Sequence, residues 1–425
     1  MSVTLLLTFL GLAALGVPLA TGLGIASVVT LLVYTKIPLS LVAQSMFSSM
    51  NSFLMVAVPL FILAGVLMDE GGVAAKIFDF ANSIVGWAPG GLGQVTIVSS
   101  VIFAGMSGSS VADVASVGAI SIGAMRKHGY PLGYATGLAL ITSTLATIIP
   151  PSILMVVAGS VANESIGRVL LGGVVPGVMI ALVFMLYNHW YCVKHGIGTR
   201  VRFDPRMSLV KTVIAIPALL VPVILMGGIV LGYFTPTEAA GVAVVYTIAV
   251  AVLVYRGVKL SQIPGFLFRT GKLTGTILFI AVTAKLAGWI FEYDGLPVRL
   301  AGMLGALTQS PTIIMLLVFL FLIVVGMFMD ATASLFILVP ILLPTVKTVG
   351  VDPVYFLVVM VITLALGLVT PPVGVCLYAA CNLTGMTLEE VTKHTIRLML
   401  LMAVAILLLV LFPGIVTVPL RWFGM

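Results

Sequence analysis

The chain repeats its own pattern of proline and glycine at a fixed distance, and this duplication limits its fold more than any other feature. Pro150-Pro151 recurs 221 positions later as Pro371-Pro372, and Gly105-Met106 recurs at the same distance as Gly326-Met327. Gly129 and Gly350 keep that spacing too. Roughly fifty residues therefore align without a gap, which indicates one structural unit present twice.

The composition predicts a membrane protein. Hydrophobic residues make up 61% of the 425 positions and charged residues only 8%, whereas soluble domains carry about 25% charged residues. The long apolar runs show no alternating polarity, which favours helices over a β-barrel. We therefore expect an all-α integral membrane protein with about ten transmembrane helices and two re-entrant hairpins.

Several classes of function find no support in the residue pattern. The net charge of +7 comes from Lys and Arg in a few connecting loops, which indicates membrane topology rather than nucleic-acid binding. The three cysteines and four histidines follow no metal-ligand spacing, and no nucleophile with its base or phosphate-binding glycine loop is present. We expect neither an enzyme nor an ATP-driven pump, no organic cofactor and no transition metal. Energy is expected to come from an ion gradient.

The breaks in the apolar pattern divide the chain into two repeats joined by a basic connector. Gly16-Val17-Pro18 interrupts residues 2–34 and favours two short helices over one long one. The predicted parts are a first repeat at 1–190 with hairpin one at 91–125 and a broken helix at 133–160, a connector at 191–211, and a second repeat at 212–425 with hairpin two at 311–347 and a broken helix at 354–382.

The basic segments predict the orientation. Residues 188–211 and 256–272 are rich in Lys and Arg, so we place both in the cytoplasm. With five spans in each half, the second repeat is then inverted relative to the first, and both termini lie outside. If residues 2–34 form a single tilted helix instead, the N-terminus moves inside.

Hairpin one and its facing helix break predict an ion site. A re-entrant loop at membrane depth has backbone groups without helical partners, and prolines release the carbonyl groups of the preceding turn. Together with nearby hydroxyl groups, these oxygens suit a monovalent cation such as sodium. The expected ligands of site one are Gly105, Ser107, Gly108, Ser109, Ser110, Thr144, Thr147, Ile149 and Pro150.

Hairpin two predicts a second ion site at the corresponding place. Small residues and prolines also serve close helix packing alone, but their duplication in both tip and break favours a binding function. The expected residues of site two are Gly326, Asp330, Thr332, Ser334, Thr370, Pro371 and Gly374.

A few further polar residues are candidates at membrane depth. Asp113 and Asp330 lie nearest the hairpin tips, where a carboxylate serves either as a helix cap or as an ion ligand. Lys285 lies inside an apolar span and can pair with a carboxylate, meet an anionic substrate or extend to an interface; its distance from both breaks favours a structural role. The substrate-binding candidates are Ser107, Ser109, Ser143 and Asn382.

Four segments carry the residue patterns that are most specific to a known protein family: residues 105–113, 149–152, 330–333 and 370–374. In these, over nearly the full length, the chain resembles the large membrane subunit of tripartite ATP-independent periplasmic (TRAP) transporters. The resemblance implies sodium-coupled import of an organic anion such as a C4-dicarboxylate or sialic acid. It also implies delivery by a periplasmic substrate-binding protein, a separate small four-helix membrane subunit, and an elevator mechanism. The location implied is the lipid bilayer of a bacterial or archaeal inner membrane.

Three alternatives stay open from the residues alone. Re-entrant loops also line the selectivity filters of ion channels, which conduct without stoichiometric coupling. A stand-alone symporter of related architecture would work without a binding protein. An intramembrane enzyme is weakened by the lack of a paired acid and base.

Overall fold

The computed structural model describes residues 1–50, 53–198 and 203–422, and these are helical without a strand. Among these described residues, six helices are long and apolar enough to cross a membrane, or seven if the bent pair Met55–Glu70 and Val73–Val85 counts as one span. The expected all-α membrane class is confirmed. Arg200 and Arg202 of the predicted connector lie outside the described residues.

The first half of the chain contains helices of very different length. Its two irregular parts are a π-helical turn at Val114–Gly118 and a 3-10 turn at Thr144–Thr147. The helices are α1 Ser2–Ala14, α2 Leu19–Tyr34, α3 Ser40–Met50, α4 Phe53–Glu70, α5 Val73–Val85, α6 Gly91–Ser107, α7 Ser110–Asp113, α8 Ala119–Lys127, α9 Leu132–Ser143, α10 Ile153–Ala162 and α11 Ile166–His195.

The second half has the same mixture of long and broken helices. A π-helical turn at Val250–Val254 extends one helix, and a 3-10 turn at Leu260–Gln262 precedes the next. The helices are α12 Pro205–Val230, α13 Pro236–Ala249, α14 Ile263–Tyr293, α15 Leu296–Leu307, α16 Pro311–Phe328, α17 Ala331–Lys347, α18 Pro353–Gly367, α19 Val375–Thr384, α20 Leu388–Leu411 and α21 Gly414–Trp422.

The N-terminal segment forms two helices, as the Gly and Pro pattern predicts. Gly16 takes a φ of 81°, which glycine adopts without steric cost, and Pro18 precedes α2. The Thr4 and Tyr34 hydroxyls lie 2.9 Å apart, so the outer ends of α1 and α2 meet. Both helices are shorter than the roughly twenty residues that one span needs. They therefore form an antiparallel hairpin.

Two boundaries differ from the sequence-based prediction. Helix α14 begins at Ile263, so most of the predicted loop 256–272 is helical; a proline near the helix start fits the first turn, where its missing N–H is not needed. The apolar pattern alone predicts that the last span begins at about residue 395, whereas helix α20 begins seven residues earlier, at Leu388. Thr387 and Glu390 form a capping box there and fix the start of that helix.

The two hairpins share their local conformation. Helix α6 packs against the π-helical turn and α8, and α16 packs against α17, so each pair forms an antiparallel hairpin. Gly129 and Gly350 both have a φ of 81°. The peptide bonds Pro150-Pro151 and Pro371-Pro372 are both cis.

The helices pack in two groups. The first group contains the hairpins and broken helices, in which α9 packs on α20, α16 on α18, and α10 on α17. In the second group, α4 packs on α13 and α14, and α14 packs on α2 and α3. We call these groups the core group (α6–α10 and α16–α20) and the frame group (α2–α4, α13 and α14). They meet where α4 contacts α6 and α10, and where α14 contacts α17.

Candidate functional site

The tip of hairpin one is a two-residue connection. Helix α6 ends at Ser107, and Gly108 takes a left-handed conformation with a φ of 60°, a common way to end a helix. Ser109 then caps the following helix, because its side chain accepts a hydrogen bond from the Ala112 amide at 3.4 Å. Glycine and serine in this order turn the chain back within the protein.

This tip lies directly against the first helix break. The Ile153 amide donates to the Gly108 carbonyl at 3.4 Å, and the Ser110 hydroxyl donates to the Thr147 hydroxyl at 3.3 Å. A Cβ atom on Gly108 would lie only 2.7 Å from the Pro151 carbonyl oxygen, so a side chain there would push the tip away. The sequence-predicted pairing of tip and break is present in the fold.

Ser152 organises the break itself. Its hydroxyl donates to the Thr147 carbonyl at 2.6 Å and accepts from the Met155 amide at 3.2 Å. It thereby caps α10 and closes the turn that contains the two prolines. The Thr147 hydroxyl donates to the Thr144 carbonyl at 2.8 Å. Hydroxyl and carbonyl oxygens, the ligands of hard cations, are concentrated here.

The remaining site-one candidates pack around the break, where Gly105 and Thr144 are buried and Ile149 is half-buried. A Cβ atom on Gly105 would lie 2.9 Å from the Pro222 side chain and 3.6 Å from the Pro150 carbonyl oxygen. The Thr144 hydroxyl donates to the Ile141 carbonyl at 2.7 Å and also lies 3.6 Å from the Met402 sulfur. The Ile149 amide donates to the Leu145 carbonyl at 2.8 Å.

Site two repeats the contact between tip and break. The Val373 amide donates to the Met327 carbonyl at 3.2 Å. At the first tip, the Ile153 amide likewise donates to the Gly108 carbonyl. Gly374 has a φ of 39°, and its Cβ atom would meet the Thr370 carbonyl oxygen at 2.9 Å. The Thr370 hydroxyl donates to the Leu366 carbonyl at 2.7 Å. Pro371 lies between Thr370 and Gly374, so these contacts hold the break on both sides of the proline.

Glycine makes this second contact possible. A Cβ atom on Gly367 would lie 2.6 Å from both the Cα and the carbonyl oxygen of Gly326. Real Cβ atoms do not approach backbone atoms so closely, so α16 and α18 touch here through their backbones. Gly326 was a sequence-based candidate; Gly367 was not, although it lies only three residues before Thr370.

The two carboxylates near the tips have different surroundings. Asp330 caps α17, accepting from the Thr332 amide at 2.8 Å and the Ala333 amide at 3.3 Å. The Ser334 hydroxyl donates to the Asp330 carbonyl at 2.9 Å. Asp113 is fully buried and caps nothing; its Oδ2 accepts from the Ser100 hydroxyl at 2.8 Å. Its Oδ1 has no partner among the described residues.

Both hairpin tips face one cavity of 430 Å³. The core-group residues that line it belong to the tip of hairpin one, the two breaks and the start of α17. Those among the sequence-based candidates are Ser107, Gly108, Ser109, Ser110, Thr147, Asp330 and Thr332. The cavity therefore connects the two predicted ion sites, which the sequence could only place separately.

The frame group forms the other wall of this cavity, and sequence reasoning missed its contribution. A Cβ atom on Gly65 of α4 would lie 2.9 Å from the Ser107 carbonyl oxygen. Asp69 and Arg269 line the same wall, and Arg269 pairs with Glu70 at 2.6 Å. Arg269 was expected in the cytoplasmic basic segment 256–272, and Asp69 was not a sequence-based candidate. The only signal was the four-residue spacing that puts Gly65 and Asp69 on one face of α4.

Three candidates lie elsewhere. Ser143 is fully buried, and its hydroxyl donates to the Leu140 carbonyl at 2.7 Å. Asn382 is exposed near the end of α19. Lys285 lines a separate cavity of 720 Å³ between α14 and α17. In the part of the chain that the structure describes, no group of three or more His, Cys, Asp and Glu side chains could hold a metal ion.

The amino-acid sequence matches a known family over almost its whole length. The sequence model of the DctM component of the tripartite ATP-independent periplasmic transporter matches residues 6–415. A C4-dicarboxylate TRAP transporter large permease protein of Pseudomonas aeruginosa is 35% identical over 403 residues, which is 95% of this chain and 94% of that protein.

Two further relatives differ in the substrates that their names give. The sialic acid TRAP transporter large permease protein of Vibrio cholerae is 33% identical over 95% of this chain and 95% of its own length. The isethionate TRAP transporter permease protein DctMQ of Oleidesulfovibrio alaskensis is 36% identical over 94% of this chain, but the match spans 63% of that longer protein.

The fold is similar to that of a solved membrane transporter. The YdaH transporter of Alcanivorax borkumensis superposes with a TM-score of 0.63 over 88% of this chain and 89% of its own, at 14% sequence identity. At that identity the likeness concerns the fold alone.

Proposed function

This chain belongs to the DctM family of tripartite ATP-independent periplasmic transporters, and on that premise we propose that it imports an organic anion by coupling to sodium. The observation that carries the proposal is the pair of hairpin tips facing one cavity, each held against a broken helix by a backbone hydrogen bond. Related permeases are named for a C4-dicarboxylate, sialic acid and isethionate, and all three are anions.

Sodium binds, in this proposal, between each tip and its break. At site one the Ser110 and Thr147 hydroxyls lie 3.3 Å apart beside the carbonyl groups that precede Pro150. At site two the Thr370 backbone and the Met327 carbonyl lie around the second break. Neutral oxygen ligands suit sodium, and they leave the ion's positive charge available to an anionic substrate in the adjacent cavity. Ser107 and Ser109 are the hydroxyls that would contact the substrate.

Alternating access would follow from movement of the core group against the frame group. The cavity lies between these groups, with the tips on one wall and α4 and α14 on the other. Gly65 lets the Ser107 backbone approach closely, as a sliding contact requires. We propose that the core group carries substrate and sodium across as one body.

Two further proteins complete the proposed transporter. The family name describes a tripartite system with a periplasmic part, so a periplasmic substrate-binding protein would deliver the anion to this chain. The third component would be a small four-helix membrane subunit, which we propose to be a separate polypeptide. The inner membrane is the site where such an assembly would work.

Reconstitution tests this function directly. The chain is co-expressed with a candidate small subunit, both are placed in liposomes, and uptake of labelled succinate and N-acetylneuraminate is measured with and without a sodium gradient and a loaded binding protein. Uptake that requires both sodium and the binding protein supports the proposal. Uptake with sodium alone would assign a stand-alone symporter, and unsaturable flux without sodium would assign a channel.

A further inference from the structure

A second cavity lies between the frame and core groups, beyond the one that holds the hairpin tips. Its volume is 720 Å³, and it is bounded by α14 on one side and by α10 and α17 on the other. Glu292 near the end of α14 and Lys347 at the end of α17 line its outer part. The first cavity lies toward Arg269, at the opposite end of α14.

Helix α14 lines both cavities. Arg269, Leu273 and Ile277 line the first cavity. Ala281, Lys285 and Trp289 line the second. Each step of four residues advances about 40° around a helix. The row from Arg269 to Lys285 therefore winds around α14, and the two cations lie on different sides of it, one in each cavity.

The two cations differ in their partners. Arg269 pairs with Glu70 at 2.6 Å, and the first cavity also contains the carboxyl groups of Asp69 and Asp330. Within the described part of the chain, Lys285 forms no ion pair. The other charged side chains of the second cavity are Glu292, two helical turns away, and Lys347, which pairs with Glu164 at 3.0 Å. Among the described residues that line the two cavities, Lys285 is therefore the unpaired cation, and it lies in the second cavity.

The register of α14 against α17 gives the offset between the second hairpin tip and Lys285. A Cβ atom on Gly288 would lie 3.4 Å from the Pro340 side chain, so these residues are level. Thr332 lies eight residues before Pro340, and Lys285 three residues before Gly288. Both helices run toward the second cavity. At 1.5 Å per residue, a shift of the core group by about 7.5 Å makes Thr332 level with Lys285.

We propose that Lys285 is the residue that receives the carboxylate of the substrate in the second cavity, before the core group moves. The inference rests on the proposed transport function and adds a binding group on the frame, outside the two hairpin sites. The ammonium group attracts the anion at the outer side, and the Glu292 carboxylate of the same cavity lies two helical turns away from it. In the first cavity, Asp69 and Asp330 repel the anion and favour its release. Lys285 is thus a positioning residue for one direction of transport.

Substitution at this position tests the inference. Lys285→Met removes the charge and keeps most of the length, Lys285→Arg keeps the charge, and Lys272→Met removes a cation from the same helix outside both cavities. In the reconstituted system, Lys285→Met should raise KM for whichever of succinate or N-acetylneuraminate the wild type takes up by about 10-fold or more, the loss of a charge-assisted hydrogen bond. Lys285→Arg should keep KM close to the wild-type value, and Lys272→Met should change KM little.

A second measurement needs no transport. With the native cysteines replaced, Val161→Cys places a thiol in the same cavity. Membrane-impermeant methanethiosulfonate reagents of opposite charge are added from outside. The measured quantity is the reagent ratio, which is the reaction rate of the anionic reagent divided by that of the cationic reagent. This ratio should be about 5-fold higher with Lys285 than with Lys285→Met, the effect of one charge at this range.

The outcomes separate the inference from the function on which it rests. Wild-type uptake with an unchanged KM in Lys285→Met would overturn the role of Lys285 and leave the transport function intact. An unchanged reagent ratio would overturn the assigned charge of the cavity in the same way. Absence of sodium-dependent uptake by the wild type, with the expected reagent ratio, would overturn the transport function alone.

Discussion

Gly326 and Gly367 touch through their backbones. A Cβ atom on Gly367 would lie 2.6 Å from the Cα and from the carbonyl oxygen of Gly326. This contact fixes hairpin two against the second broken helix. Gly367 lies three residues before Thr370. The hydrogen bond from the Val373 amide to the Met327 carbonyl lies beside it. The position of the second tip relative to its break therefore depends on the absence of a methyl group.

We expect Gly367→Ala to destabilise the protein by about 1–3 kcal/mol, because overpacking forces the two helices apart. The measurement is the melting temperature in detergent, followed by size-exclusion chromatography. Gly275→Ala is the matched control, since a Cβ atom there meets nothing within 4 Å. Equal melting temperatures for Gly367→Ala and wild type would contradict the contact.

Ser110→Ala and Thr147→Val should each weaken the sodium dependence of uptake. The two hydroxyls are 3.3 Å apart between the first tip and break, and removing one oxygen ligand should raise the sodium concentration for half-maximal uptake by about 5- to 10-fold. Thr363→Val serves as control, because that buried hydroxyl only donates to the Val359 carbonyl within its own helix. If all three variants show the wild-type sodium dependence, site one is wrongly placed.

Asp113→Asn should keep or raise the melting temperature in sodium-free buffer. The carboxylate is fully buried and one of its oxygens has no partner among the described residues; an unpaired buried charge costs free energy that the amide does not. Asp352→Asn is the control, because Asp352 accepts from the Tyr355 amide at 2.8 Å as a helix cap that asparagine replaces well. A clear drop for Asp113→Asn in the same sodium-free buffer would contradict the free-energy cost assigned to the unpaired carboxylate.

The stabilisation from the hydrogen bonds between Ser2 and the Asp294 carboxylate should decrease at acid pH. Hydrogen bonds from the Ser2 hydroxyl at 2.6 Å and the Ser2 amide at 2.9 Å lower the pKa of Asp294 to about 2, with a further contribution from Arg299. A lowered folded-state pKa stabilises the fold above the ordinary value of 3.8 and loses that effect as the pH falls toward 2.

Wild type should therefore melt higher than Asp294→Asn at pH 6, and the difference should shrink between pH 4 and pH 2. Melting temperatures of both proteins across this range provide the measurement. Arg421→Gln, a charge change near the other terminus, controls for general acid effects. A difference that persists at pH 2 would show that the Asp294 contacts do not depend on its charge.

Much of the first site was predictable from the sequence, because glycine and proline act through local geometry. Gly108 turns the tip in a left-handed conformation, and Pro150-Pro151 ends one helix before another begins. Their repetition at a fixed distance also identified the second tip and break. Thr144 and Ser143 were chosen for their hydroxyls alone, and the structure shows both bonded to their own helix.

The frame wall was not predictable in the same way. Gly65, Asp69 and Arg269 line the first cavity, although none of them was a sequence-based candidate and Arg269 was expected in the basic segment 256–272. The face of α14 that carries Lys285 toward α17 was equally hidden. In a soluble protein, the apolar stripe of a helix, opposite its polar face, shows which side is buried. A membrane helix offers no such contrast.

The sequence by itself determined the membrane class, the duplication and the places where helices break, because these depend on composition and on backbone limits of Gly and Pro. Only the tertiary structure decided which helix faces meet. Lipid is as apolar as the protein interior, so a membrane helix has little contrast between its lipid-facing and packed sides. That is why the placement of Arg269 and Lys285 in two different cavities emerges only once α14 lies against its neighbours.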